Sequence, residues 1–140
     1  MTKDNGATKP AAINLFELQP TTLTHELLHP GTGEPTGLEL DLVSMDDERL
    51  VALTRKMDDR RLKLSQRGKP VPAEELEEHG IALISTAIVN WRWLPHAIID
   101  FNGERPAYTP GMAKNIVSRA VWVRRQLDDI LGDTSRFFQR

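Results

Sequence analysis

His25-Glu26-Leu27-Leu28-His29 matches the pattern H-E-x-x-H. On an α-helix that spacing sets two imidazoles on one face, where they can hold Zn²⁺, with a glutamate placed to activate a metal-bound water. The chemistry would be that of a small zinc-dependent hydrolase, with Glu39, Glu77, Glu78 or His79 as a third ligand. Three features of the stretch argue against it. Pro30 follows His29 and pushes it out of the α region, ending any helix there. In a strand the two histidines share a face but stand about 13 Å apart at ~3.3 Å per residue, too far for one ion bound at ~2.0–2.1 Å. The longer metalloprotease pattern wants glycine three residues after the second histidine and another histidine three further on. Here those positions hold Thr32 and Pro35. The stretch therefore reads as two solvent-facing or turn-packing histidines.

Other groupings read more plainly as helix surface. Glu74, Glu75, Glu77 and Glu78 beside His79 open a helix and complement its positive end. Arg49, Arg55, Arg60, Arg61, Lys63 and Arg67 interleave with carboxylates, which makes a salt-bridged solvent face rather than a phosphate site. Arg119, Arg124 and Arg125 near Trp122 fit an amphipathic helix better than a nucleic-acid patch. No serine, threonine or lysine sits in a nucleophile elbow or phosphate loop. The chain reads as a binding or structural protein more than as an enzyme.

The elements that would position these groups follow from local signals. Residues 1–20 read as a flexible N-terminal tail, and residues 21–140 as one α+β domain. Within the tail Ile13, Leu15, Phe16 and Leu18 form a short apolar stretch that fits helix and strand equally. Leu38-Glu39-Leu40-Asp41-Leu42 alternates strictly, and Leu23–Leu28 precedes it across the turn-rich link Pro30–Gly37. Together they predict an N-terminal β-hairpin. Ser44 or Asp46 caps a helix that runs to about Arg67 and breaks at Gly68-Lys69-Pro70.

A second helix starts at Val71-Pro72-Ala73 and carries the stripe Leu76, Leu83, Ile84, Ala87, Ile88 and Trp91. It is expected to be the most buried helix and to end before Pro95. Trp91 falls on the stripe, and Trp93, two positions on, faces another direction as a partner-facing aromatic. Residues 97–108 predict a second short hairpin turning at Asn102-Gly103. Thr109-Pro110 opens a helix, a kink follows near Ser118, and a last helix ends at Gly132. Phe137 and Phe138 are either a docked tail or an exposed hook. The architecture expected is α+β, with the hairpin packed on a small bundle of three to four helices.

Composition excludes several function classes. The chain has 140 residues, 39% hydrophobic and 27% charged, with a net charge of −2. That balance argues against a protein held to nucleic acid by overall charge. The chain has no cysteine, so disulfides, thiolate metal sites and cysteine nucleophiles are excluded. Met1–Pro20 lacks the apolar core of a signal peptide, and the longest apolar run, Ile81–Leu94, is too short and polar to span a bilayer. Neither nucleic acid, membrane nor cofactor is expected as a partner.

Leu27–Leu38 followed by an alternating strand resembles the N-terminal hairpin of tail assembly chaperones of long-tailed, siphovirus-like bacteriophages. Trp91 before a short hairpin, Tyr108-Thr109-Pro110 opening a helix, Trp122–Asp128 and the closing Arg136-Phe137-Phe138 are similar to that group as well. The match covers most of residues 23–138, and the order of its pieces carries it. One departure is Gly111-Met112-Ala113, where the family continues Tyr-Thr-Pro with Glu-Asn-Ala. The lost carboxylate weakens the first turn.

The resemblance implies a late, non-catalytic protein of the host cell cytoplasm. It implies coating of the long, helical tape measure protein, assembly of tail tube subunits around it, self-association, and absence from the finished virion. A longer frameshifted form is also common in that group. Such work buries apolar helix faces reversibly and needs exposed apolar side chains ringed by charge. Trp93, Leu94, Phe137 and Phe138 are the residues expected to meet the partner. The other readings are the zinc hydrolase and a different phage structural protein, such as a head–tail connector or minor tail subunit.

Overall fold

A computed structural model describes residues 12–138. The chain runs through strands β1 (Leu23–Leu28) and β2 (Pro35–Leu42), then helices α1 (Glu48–Ser65) and α2 (Ala73–Ala87). Strand β3 (Ile88–Trp93) and helices α3 (Pro110–Arg119) and α4 (Val121–Leu131) follow. Single 3₁₀ turns flank these elements at Leu15–Glu17 and Thr134–Phe137. The fold is the expected α+β class. The expected tail divides: residues 1–11 lie outside the described residues, and Leu15–Glu17 forms a short turn whose Phe16 N–H donates to Asn14 Oδ1.

The three strands form one antiparallel sheet in the order β1-β2-β3. The alternation in β2 sends Leu38, Leu40 and Leu42 into the core, where each is buried. Its other face carries Glu39 and Asp41, and Arg92 of β3 bridges both carboxylates. Opposite-charge pairs across neighbouring strands support that solvated face. Four helices and Phe137 complete the core, with α4 contributing Val123, Leu127, Ile130 and Leu131.

Several expectations are corrected here. The second helix stops at Ala87, and the segment Ile88–Trp93 becomes β3, which pairs with β2. A two-stranded hairpin is marginal alone, and a third strand secures it. β-Branched Ile88 and Val89 with Trp91 and Trp93 suit a strand. The strand period then overturns the expected direction of Trp93. Residues two apart share a face in a strand, so Trp91 pairs with Leu40 and Trp93 with Leu38 on the same core-facing side.

The most buried helix is α4, while Leu76 of α2 stands 40% exposed. The second hairpin contracts to one bridge between Phe101 and Glu104 around Asn102-Gly103. Both turn residues take positive φ, 55° and 86°, as a two-residue turn of this kind requires. The break between the last helices falls at Ala120 rather than Ser118. Thr109 caps α3 as expected, with its Oγ1 accepting from Met112 N–H at 3.1 Å.

Candidate functional site

The segment between β3 and α3 is laid across the sheet by backbone bonds. Leu94 N–H donates to Gly37 O at 2.7 Å, and Ile98 N–H to Thr36 O at 2.8 Å. Gly37 takes a φ of +87°, and a Cβ there would stand 2.6 Å from the Ala97 nitrogen. Only glycine lets the two backbones cross so closely.

Aromatic side chains then fix the loop. Phe101 meets Trp91 and Trp93 edge-on at 5.9 and 5.4 Å, and Tyr108 meets Trp91 at 5.3 Å. The indole N–H groups of Trp91 and Trp93 both donate to Pro106 O, at 2.9 and 2.8 Å. Tyr108 Oη donates to Ile88 O at 2.9 Å. Edge-to-face aromatic pairs contribute ~0.5–1.5 kcal/mol each beyond their buried area. The Arg105 guanidinium donates to Ala97 O at 2.9 Å and lies 6.0 Å from the Trp93 ring centre.

This braced loop is one wall of a groove of about 680 Å³. Ile99 and Phe101 line that wall, and Met112, Ile116 and Trp122 line the opposite one on α3 and α4. Leu27 and Leu38 are its floor. Asp100, Glu104 and Arg119 are the charged groups of its lining, and Asn102 and Asn115 add amides. Among the described residues the lining offers no hydroxyl, thiol, imidazole or amine side chain. A groove that sets large apolar side chains among charged and amide groups is suited to an amphipathic segment, whose apolar side chains it can cover while its polar ones are paired.

None of the four expected contact residues lines this groove. Trp93 is half-buried and supports the loop from behind. Leu94 is half-buried at the end of β3, Phe137 is completely buried, and Phe138 is half-buried. The tail is therefore docked, and Phe137 has no surface to offer as a hook. The groove residues had weaker signals in the sequence. Met112 and Ile116 are spaced for one helix face, and Phe101 abuts the Asn-Gly turn. Their convergence depends on the loop crossing at Gly37.

The H-E-x-x-H stretch forms no helical chelate, since Leu23–Leu28 is β1 and His29 lies in the turn after it. His25 Nε2 is 2.8 Å from Gln126 Oε1 on α4. His29 Nδ1 accepts from the N–H groups of Gly31 and Thr32 at 3.0 and 3.2 Å. Glu26 Oε2 accepts from Gly37 N–H at 2.9 Å and contacts His96 Nε2 at 2.6 Å. No group of three or more His, Cys, Asp or Glu among the described residues is placed to hold a metal ion.

Single members of the other charge groupings pair within the fold. Glu75 pairs with Arg60 at 2.7 Å, and that guanidinium lowers its pKa below the usual carboxylate range. Glu77 pairs with Arg124 at 3.3 Å, while Arg124 also donates to the C-terminal carbonyls of Val117 and Ser118. No helix among the described residues is long and apolar enough to cross a membrane. Set against known protein families, curated proteins and solved structures, the chain matches none.

Proposed function

We propose that this chain is a tail assembly chaperone of a long-tailed bacteriophage. In this reading it is a non-catalytic protein of the host cytoplasm. It holds apolar helical segments of the tape measure protein away from water while tail tube subunits assemble. The order of sequence pieces that resemble that group motivates the reading. The observation that carries it is the groove between the 99–106 loop and the α3–α4 elbow, where Ile99, Phe101, Met112, Ile116 and Trp122 share the lining with charged and amide side chains of both walls. An amphipathic helix presents side chains at i, i+3, i+4 and i+7 to such a trough. Reversible binding follows, because burial of a few large side chains at ~1.5–3 kcal/mol each must first offset the cost of association.

Co-expression with the tape measure protein tests the reading. The wild-type chain should keep that protein soluble and co-purify with it. Ile116→Lys, checked for a wild-type circular dichroism spectrum, should lower recovery by about tenfold or more. Asn115→Leu replaces an amide of the lining with an apolar side chain and should raise recovery, so that if Ile116→Lys fails to fold, a folded Asn115→Leu with unchanged or lowered recovery would overturn the proposal. A tape measure protein that stays insoluble with the wild type would overturn the proposal, as would undiminished recovery with folded Ile116→Lys.

A further inference from the structure

We infer that this chain caps itself in trans: the apolar segment Ile13–Leu18 of one copy seats in the groove of a second copy. Nine large apolar side chains stand exposed among the described residues, and four of them fall in these six positions. Leu15 is 74% and Phe16 81% exposed. Large apolar side chains at such density mark an interaction site rather than ordinary surface. The segment is also preshaped. Asn14 caps its single turn through Phe16 N–H, and Pro20 ends it, so less ordering entropy is lost on docking.

The groove is the matching half. The described residues leave it open, and exposed Ile98 and Val121 adjoin its two walls in sequence, next to Ile99 and Trp122. Glu17 is the segment's one ionisable side chain. Arg119 on the α3 wall makes no ion pair among the described residues and is the cation open to it. Asp100 and Glu104 on the loop wall would repel it, so charge favours only the orientation that sets Glu17 against α3.

Reach decides between the same chain and a second one. The root of the segment is tied down at Thr21, whose N–H and Oγ1 donate to Phe137 O at 2.6 and 3.1 Å. From Thr21 the chain runs along β1 to Leu27 in the groove floor, about 20 Å at ~3.3 Å per residue. Leu18 is three residues from the root and reaches ~10 Å when fully extended. Seating the whole segment in its own groove would require unwinding its turn and breaking the Thr21 tie. A second copy meets neither restriction. Donor and acceptor surfaces differ, so two copies can close by exchanging segments reciprocally, or several can link head-to-tail into a ring or an open chain. The inference stands on the segment and the groove, whatever client displaces the segment.

Because the chain has no native cysteine, single-cysteine variants can read the contact directly. Leu18→Cys mixed with Asn115→Cys, under mild oxidation, should give a disulfide-linked heterodimer. Leu18→Cys mixed with Lys63→Cys, on α1 away from the groove, should give at least about tenfold less. Sedimentation of the wild type should show mass rising with concentration, and Phe16→Asp should weaken self-association by about tenfold or more. Phe16 is exposed, so that substitution leaves the core intact. A wild type that stays monomeric, equal crosslinking to both acceptors, or internal disulfide closure of the doubly substituted chain when dilute would each overturn the inference. Client binding is not part of this measurement, so failure here leaves the chaperone reading standing, and the reverse holds too.

Discussion

The carboxylate of Asp47 closes the start of α1 in two ways. It accepts from Arg49 N–H at 3.0 Å, capping the helix, and from the Arg49 guanidinium at 3.0 and 3.2 Å. The side-chain hydrogen bond from Arg49 is the larger cause that holds its pKa below the usual aspartate range, against partial burial that raises it. A folded-state pKa that is depressed adds stability above the unfolded value of ~3.9. That stability disappears as pH falls through the lower folded value. Asp47→Ala should cost about 1 kcal/mol near neutral pH. Asp47→Asn keeps a capping oxygen but has nothing to titrate, so its stability should fall less steeply as pH drops below about 5. Urea midpoints across that range provide the check, and parallel slopes for wild type and Asp47→Asn would refute the argument. The expected cap, Ser44 or Asp46, is corrected: Asp47 caps α1, and Ser44 Oγ instead accepts from Asp46 N–H at 3.1 Å in the turn before it. All three are competent capping residues, so local residue type alone does not choose among them.

At the scale of elements, legibility followed the range of the interaction. The hairpin, α1, α3 and α4 announce themselves through turn formers, caps and periods within a few residues. Strand β3 does not, because Leu83, Ile84, Ala87, Ile88 and Trp91 satisfy a helical spacing straight through the boundary. No glycine or proline marks the change at Ala87 and Ile88. The need of β2 for a second partner overrides the local pattern, and the groove inherits that decision because Trp91 and Trp93 brace its wall. Gln126 is a similar case. It sits on α4 as one more polar residue, yet its amide works like a strand's backbone. Its Oε1 accepts from Leu28 N–H at 2.8 Å, and its Nε2 donates to Leu28 O at 3.0 Å. The contact covers part of the β1 edge, beside the irregularity in register between Glu26 and Leu28. Gln126→Leu should destabilise the fold by about 1–3 kcal/mol. It should also speed amide exchange at Leu28 by about tenfold or more, whereas Gln126→Glu, keeping only the acceptor, should fall between. Unchanged protection at Leu28 in Gln126→Leu would show that α4 does not hold this edge.

For the whole molecule, the chain entering β1 and the end of the described chain meet at Phe137. Its ring is fully buried in the same core as the sheet leucines, and its carbonyl holds Thr21 at the root of β1. Sequence alone left Phe137 and Phe138 equivalent, since adjacent aromatics near a terminus carry no period. The 3₁₀ turn at Thr134–Phe137 separates them by sending one ring inward and leaving its neighbour half-buried. Phe137→Ala should therefore cost about 3–5 kcal/mol, a large share of the ~5–15 kcal/mol that stabilises a domain. Phe138→Ala should cost less than about 1.5 kcal/mol. If the tail belongs to the central core, Phe137→Ala in a Trp122→Phe background lowers the urea midpoint equally by tryptophan fluorescence, which then reports Trp91 and Trp93 of the sheet, and by far-UV circular dichroism, which reports the helices. A fluorescence transition that stays at the midpoint of the Trp122→Phe background while the helical signal melts early would mean that α4 and the tail form a separate cooperative unit. Both walls of the groove would then no longer belong to one rigid frame.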